Sequence, residues 1–171
     1  DDLGRIVVPK EIRRVLRIRE GDPLEIFTGK DGEVIIKKYS PLGELGTFAQ
    51  QYVDSISQIL GCPVCVTDRD QIIAVAGGGK RELLGKTISR QLEEMIINRE
   101  NSIQAGLDKK TIPLISGDED SYSAQAIYPI CCEGDCIGAV ILYSRENQTH
   151  FSETEYKAAA CAASFLGKQM E

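Results

Sequence analysis

Hydrophobic and polar positions alternate differently in a short first part of the chain and a longer second part. In the first part, the branched residues at 5–8 predict a β strand, and Pro9 suits the start of a helix over residues 10–16. Strands predicted over 24–27 and 34–37 flank a glycine-bounded turn, which indicates a hairpin. The expected order of elements is therefore β, α, β, β.

A unit of about 40 residues buries too little apolar surface to fold alone, unless a metal or disulfides support it. Residues 1–39 contain neither cysteine nor histidine. We therefore expect this unit to fold only as a dimer.

The longer part begins after the break at Ser40 and Pro41, where apolar residues spaced by three and four predict an amphipathic helix over 42–60. A hairpin is expected next, with strands over 64–67 and 72–76. The elements predicted after the hairpin are a helix over 83–97, a strand over 111–115, strands over 123–131 and 136–143, and a helix from a capping box at Ser152 and Glu155 to about Met170.

Charge is distributed unevenly along the sequence. The whole chain has 20 Lys and Arg against 26 Asp and Glu, a net charge of −6, which as an average argues against nucleic-acid binding. Residues 5–19, however, hold six cations and the single acid Glu11. This local excess favours a partner that carries phosphate groups.

The predicted first helix separates these cations from its apolar residues. At 100° per residue, the cations share an arc of roughly 100° opposite the apolar face, which suits docking on phosphates while the other face packs in a core. The alternative is a solvated helix face whose arginines pair with Glu11 or Glu20, and the charge pattern leaves both open. The cations of this arc are Lys10, Arg13, Arg14 and Arg17.

The cysteines lie within apolar strand and helix patterns, in a chain large enough to need no disulfides, so we expect buried thiols in a reducing cytosol. Cys62 and Cys65 have the spacing of a metal or redox pair, and three later cysteines could complete a zinc site. Because no histidine is near in sequence, thiols acting as small hydrophobic groups are favoured. The six cysteines are Cys62, Cys65, Cys131, Cys132, Cys136 and Cys161.

Other candidate motifs do not assemble into a catalytic set. Gly77-Gly78-Gly79-Lys80 lacks the Walker pattern, so a flexible loop is expected there. The lone His150 has no serine or carboxylate constellation around it. No apolar run approaches the ~20 residues of a membrane span. We predict no enzyme, no metal, no cofactor and no membrane partner.

The first part resembles the DNA-binding domain of the AbrB family. The residues that carry the resemblance are Asp1-Asp2-Leu3-Gly4-Arg5-Ile6-Val7-Val8-Pro9-Lys10-Glu11-Ile12-Arg13-Arg14, then Leu16, Gly21-Asp22, Leu24-Glu25-Ile26 and Lys37-Lys38-Tyr39. The resemblance implies that two chains interleave as a swapped-hairpin barrel. It also implies that Arg5, Arg13 and Arg14 contact DNA. The family has a further basic strand ahead of this turn, and the sequence starts after it.

The second part resembles a GAF domain, which implies an antiparallel sheet flanked by helices and a pocket for a small effector. The expected fold is α+β, with an AbrB-like swapped-hairpin domain over 1–39, a linker or dimerisation helix over 40–60 and a GAF-like sensory domain over 61–171. Candidate DNA-binding residues from both arguments are Arg5, Lys10, Arg13, Arg14 and Arg17.

These expectations combine into a bacterial transcription regulator of the sporulation or transition-state type, cytoplasmic and associated with the nucleoid. Its expected partners are double-stranded DNA, a second copy through the N-terminal domain, further copies in a tetramer and a small effector. One alternative is a thiol enzyme, because some GAF domains reduce methionine sulfoxide with clustered cysteines. Another is an antitoxin-like DNA-binding module, against which the long structured remainder counts.

Overall fold

The computed structural model describes residues 2–40, 42, 45–105, 111–118, 122–147 and 149–170. It divides into two compact units, residues 1–40 and 41–171. Helices and strands occur in both, so the α+β class is confirmed. Among the described residues, none of the helices combines the length and the apolar content that crossing a membrane requires.

The first unit contains helix α1 (Lys10–Val15) and strands β1 (Leu24–Thr28) and β2 (Val34–Lys38). The strands form the predicted antiparallel hairpin, in register with Ile26 opposite Ile36. The turn is closed by the Gly29 N–H, which donates to the Glu33 carbonyl at 2.7 Å. The hairpin prediction is confirmed to within a residue or two.

The predicted strand over residues 5–8 does not form. A strand needs a neighbour for its backbone groups, and within residues 2–40 the two hairpin strands pair only with each other. Ile6 and Val7 are 56% and 79% exposed. Branched side chains make these residues suitable for a strand, but residues 2–40 offer no neighbouring strand with which they pair.

The second unit is built on a five-stranded sheet in the order β4-β3-β7-β6-β5, with every neighbouring pair antiparallel. The elements are α2 (Gly46–Leu60), β3 (Val64–Asp68), β4 (Ile72–Ala76), α3 (Lys80–Leu83), α4 (Arg90–Ile97), β5 (Ser102–Ala105), β6 (Ala124–Cys132), β7 (Asp135–Ser144) and α5 (Glu153–Lys168). The helix predicted from Leu42 is observed from Gly46, and Pro41 and residues 43–44 lie outside the described residues.

Both faces of the sheet are covered. Helices α2 and α5 pack on one face, where Val53 and Leu166 join a core that includes Val64. Helix α4 packs on the other face, where Leu92 joins Cys65, the next residue along β3. A sheet that is covered on both sides favours continuous apolar strands, which explains the runs in β3, β6 and β7.

The capping box that opens α5 is present as predicted. The Glu155 carboxylate accepts from the Ser152 N–H at 2.7 Å, and the Ser152 hydroxyl accepts from the first turn of the helix. The predicted helix over 83–97 is instead broken. Gly85 has a φ of +73°, and Ser89 caps a new helix by accepting from the Leu92 N–H at 3.1 Å. A turn glycine and a capping serine interrupt the apolar spacing here.

The predicted strand over 111–115 is also absent, apart from a single bridge between Ile115 and Ile88. The fully buried side chain of Gln125 takes the place of a neighbouring strand. Its amide accepts from the Ile112 N–H at 2.9 Å and donates to the Ile112 carbonyl at 2.7 Å. A side-chain amide thus satisfies both backbone groups of Ile112, which a neighbouring strand would otherwise have paired.

Candidate nucleic-acid interface

Helix α1 presents its cations to solvent. Pro9 precedes the helix, and its carbonyl accepts from the Arg13 N–H at 3.0 Å. Lys10, Arg13 and Arg14 all lie on α1 and are exposed. The structure therefore brings these three predicted site residues together on one short helix.

The opposite face of α1 is exposed as well. Ile12 and Val15 are 47% and 80% exposed, and Leu16, which follows the helix, is 44% exposed. None of the apolar residues within 2–40 is buried. The apolar face that the helical projection assigns to a core therefore has no cover within residues 2–40.

Exposed apolar side chains are concentrated in this unit. Of the large hydrophobic residues exposed in the described part of the chain, ten lie within residues 2–40 and four in the longer unit. Such a concentration marks an interaction surface, since soluble proteins seldom leave large apolar patches open. Apart from the α1 face, the exposed large hydrophobic residues of the first unit are Leu3, Ile6, Val7, Ile26, Phe27, Val34 and Ile35.

Arg17 does not continue the helical arc. The helix ends at Val15, and Arg17 has a φ of +51° in a Schellman motif, in which the Ile18 N–H donates to the Arg13 carbonyl at 2.8 Å. Glycine is the usual residue at this left-handed position. Projecting the helix to Arg17 was therefore wrong, because the backbone reverses its twist there. The Arg17 side chain is half-buried, and its Nη1 has no hydrogen-bond partner among the described residues.

An ion pair that sequence reasoning missed holds this turn. Lys38 Nζ lies 3.0 Å from Asp22 Oδ2 and donates to the Arg17 carbonyl at 3.0 Å. The same Asp22 oxygen accepts from the Arg19 N–H at 2.9 Å. Burial raises the pKa of Asp22, but the hydrogen bonds from Arg19 and Lys38 outweigh it and leave that pKa below its usual value. The only indication in the sequence was the turn around Gly21 and Pro23.

Arg5 is exposed and directly follows Gly4, whose φ of +71° is that of a glycine turn. The predicted presentation of Arg5 by a turn is therefore present, although the strand that was expected to follow it is not. Arg5 lies outside α1, so the candidate surface combines a loop residue with a helix face.

In the second unit, polar side chains converge at the end of β7. The Tyr143 hydroxyl donates to the Gly78 carbonyl at 3.1 Å, and the Tyr122 hydroxyl donates to Asp118 at 2.6 Å. Arg145 pairs with Glu82 at 2.7 Å, and its guanidinium lies 5.3 Å from the centre of the Tyr122 ring. Burial, above all, raises the pKa of both phenols, so they stay neutral hydrogen-bond donors.

The glycine run at 77–79 forms a loop between β4 and α3, as the sequence predicts, and Gly77 and Gly78 are exposed. Every one of its glycines has a positive φ. A side chain at Gly77 would collide with the Ser57 hydroxyl and with the backbone of Pro63. Gly77 therefore allows the loop to approach α2 and the segment before β3 closely.

The cysteines require a correction. Cys131 and Cys136 form a disulfide, because the register of β6 and β7 places them opposite each other beside the turn. Cys65 is fully buried, and burial raises the pKa of the half-buried Cys62 to about 11. Among the residues that the structure describes, no group of three or more His, Cys, Asp or Glu side chains is arranged to hold a metal ion.

Two family models together span the chain. The model described as stage V sporulation protein T C-terminal, transcription factor, matches residues 44–171. The model described as antidote-toxin recognition MazE, bacterial antitoxin, matches residues 1–43. The boundary between the two matches falls just after the first compact unit.

Relatives and solved structures agree with these matches. Over 41 residues, 24% of this chain and 42% of the relative, the chain is 54% identical to the transition state regulatory protein AbrB of Bacillus subtilis (strain 168). The GAF domain from Acinetobacter phosphoenolpyruvate-protein phosphotransferase aligns with a TM-score of 0.60 at 11% identity, covering 74% of this chain and 81% of that domain. This likeness confirms the predicted GAF-like fold of the second unit.

A relative of full length settles the family. The chain is 50% identical, over all 171 residues, to stage V sporulation protein T of Bacillus subtilis (strain 168), and the match covers 94% of that protein. Together with the match to residues 44–171, this identity shows that the chain belongs to the stage V sporulation protein T family of transcription factors.

Proposed function

We propose that the chain regulates transcription by binding double-stranded DNA as a dimer through its first unit. The observation that carries the proposal is the two-sided exposure of α1, with cations on one face and uncovered apolar residues on the other. The proposed DNA-binding residues are Arg5, Lys10, Arg13, Arg14 and Arg17.

The dimer follows from the apolar surface. A second copy that covers Ile12, Val15 and the exposed hairpin side chains supplies the core that one copy lacks. Interleaved hairpins would also give residues 5–8 the neighbouring strand that is missing within one chain. The fold of the first unit and its dimerisation would then be a single event.

The DNA contact follows from the charges. When the apolar side chains are buried in a dimer core, the cationic face of each α1 stays at the surface. The dimer therefore carries two such faces. Lysine and arginine that neutralise phosphates release condensed counterions, which supplies affinity without sequence specificity. A locally positive surface can therefore bind DNA even though the chain as a whole is acidic.

We assign the second unit a modulating role: it binds a small effector, or joins two dimers into a tetramer, and thereby biases DNA affinity. Its GAF-like fold and the buried phenols of Tyr122 and Tyr143 support this role, since a few polar groups in an apolar layer can orient a ligand. Because its proposed partner is DNA, we also propose that the protein acts in the cytoplasm, in association with the nucleoid.

The experiment is fluorescence anisotropy with a labelled DNA duplex. Arg13→Ala and Arg14→Ala should each weaken binding about tenfold, because phosphate contacts are lost. Arg90→Ala is the matched control, since Arg90 is an exposed helical cation of the second unit, paired with Glu94. Affinities of Arg13→Ala and Arg14→Ala equal to that of the control would remove α1 from the interface.

Native mass spectrometry of the same protein tests the assembly. Each chain has a mass of 18.8 kDa, so dimers and tetramers are well separated. A tetramer, or a dimer that retains a small molecule, is the expected species. A monomer that still binds DNA would contradict the proposed dimer.

A further inference from the structure

The turn between β6 and β7 carries two cysteines that differ in access. Cys131 and Cys136 are opposite residues of the two strands and are joined by a disulfide. Cys131 is exposed, whereas Cys136 is buried. An attacking thiolate can therefore reach the bond at one sulfur, and exposed disulfides are the ones that exchange readily.

The backbone around the bond is held independently of it. Arg69 Nε donates to the Cys136 carbonyl at 2.7 Å, and the Arg99 guanidinium donates to the Gly134 carbonyl. Strands β6 and β7 stay paired on both sides of the disulfide, with Ile130 opposite Gly138 and Cys132 opposite Asp135, although a β-bulge shifts the register between Ile130 and Cys131. The two sulfurs therefore stay close when the bond opens, which favours its re-formation.

Other thiols of the chain are poor competitors. Burial raises the pKa of Cys62 and of Cys65, so their nucleophilic thiolates are scarce at neutral pH. Cys161 is exposed but lies on α5, and Cys132 is the neighbour of Cys131 on a strand, so its side chain points to the opposite face. Exchange is thus directed to one pair.

We propose that Cys131 and Cys136 form a reversible thiol–disulfide site, oxidised by a low-molecular-weight disulfide and reduced by low-molecular-weight thiols. In oxidation, the Cys131 thiolate attacks one sulfur of the small disulfide, whose S–S bond breaks to release one thiol. Cys136, after losing its proton to water, attacks the Cys131 sulfur of the mixed disulfide and releases the second thiol. Two electrons and two protons pass from the protein to the small disulfide.

The site is in contact with helix α5. A side chain at Gly167 would collide with the Cys131 carbonyl oxygen, so the helix and the end of β6 meet backbone to backbone. Opening the disulfide removes the covalent link between β6 and β7 at the strand end on which α5 packs, while the backbone pairing remains. The oxidation state of the pair therefore changes the stability of the second unit, independently of any role in DNA binding.

The test equilibrates the full-length chain in mixtures of reduced and oxidised glutathione, starting from both the reduced and the oxidised protein. Samples are quenched with acid, denatured, alkylated with N-ethylmaleimide and weighed intact. The reduced chain takes six labels, one per cysteine, and the chain with the disulfide takes four. Peptide mapping identifies the linked pair.

We expect one transition with the same midpoint from both directions and, on reduction, a melting temperature of the second unit lower by roughly 5 °C. Cys132→Ser should keep that midpoint with one label fewer. Cys136→Ser should instead hold glutathione on Cys131. A disulfide that native glutathione cannot reduce, thiols that stay reduced at every ratio, or a midpoint that depends on Cys132 would each overturn the proposal.

Discussion

The ammonium of Lys38 lies 3.0 Å from a carboxylate oxygen of Asp22, and the two side chains are only 19% and 8% exposed. The same ammonium donates to the carbonyl of Arg17, so the pair joins the turn after α1 to strand β2. In a unit without buried apolar side chains, this ion pair connects the end of the cationic helix to the hairpin.

Asp22→Asn should destabilise residues 2–40 by about 1–3 kcal/mol, because it leaves the Lys38 ammonium without its charged partner. Hydrogen exchange of peptides from this unit measures the loss, at a fixed protein concentration because the unit is proposed to fold as a dimer. Asp31→Asn, in the exposed β1–β2 turn, is the control and should exchange like the unmodified chain. Equal protection in both variants would contradict a structural role for the pair.

The same carboxylate predicts a dependence on pH. Burial raises the pKa of Asp22, but hydrogen bonds from Arg19 and Lys38 lower it further than burial raises it. Its contribution to stability is therefore present above the unfolded-state value of about 3.9 and is lost as the pH falls through the lower folded-state value. The hydrogen-exchange protection of residues 2–40 should therefore decrease as Asp22 is protonated in acid. In Asp22→Asn this part of the pH dependence should be absent.

Arg17→Gly should stabilise the first unit by roughly 0.5–1 kcal/mol, because glycine relieves the left-handed strain while the unfolded chain offsets part of the gain. Its carbonyl remains available to Lys38. If Arg17 also contacts DNA as proposed, affinity should fall severalfold in the same variant. Lower stability would instead mean that contacts of the arginine side chain outweigh the strain.

Gly167→Ala should destabilise the second unit by about 2–4 kcal/mol, since the added methyl group meets the Cys131 carbonyl oxygen and α5 must move off the sheet. Thermal denaturation measures the change. Gly46→Ala is the matched control, because space is open around Gly46 at the start of α2. Equal melting temperatures for the two variants would show that α5 is not held in backbone contact.

The thiol pair at 62 and 65 should be unreactive. With a pKa of about 11, roughly a thousandth of Cys62 is thiolate at pH 8. Alkylation of the native chain should therefore label exposed Cys161 long before Cys62 or Cys65. Rapid labelling of Cys62, together with turnover of methionine sulfoxide that Cys62→Ser abolishes, would instead support the enzyme alternative.

Sequence pattern predicted the elements whose cause is local. The hairpin β1–β2 follows from alternation and turn glycines, and α5 follows from the capping box at Ser152. Strands β3, β4, β6 and β7 were predicted by their apolar runs. These features depend on residues that are neighbours along the chain.

Features that depend on residues distant along the chain were either missed or wrongly predicted. The backbone of Ile112, in the segment wrongly predicted as a strand, is paired by the side chain of Gln125, which no pattern in that segment reveals. The disulfide depends on the register of two strands, and the Asp22–Lys38 pair depends on how the hairpin meets the turn. Of the candidate site, the cations of α1 could be placed from periodicity, but Arg17 could not, because the helix ends before it.

The most direct test of the central claim is the salt dependence of DNA affinity, measured for the full-length chain and for Arg13→Ala. Each phosphate contact contributes a slope of roughly −0.9 in log K against log salt, so removing Arg13 from both chains of a dimer should flatten the slope by about two units. The control Arg90→Ala should keep the original slope. An unchanged slope in Arg13→Ala would contradict DNA binding through the exposed cations of α1.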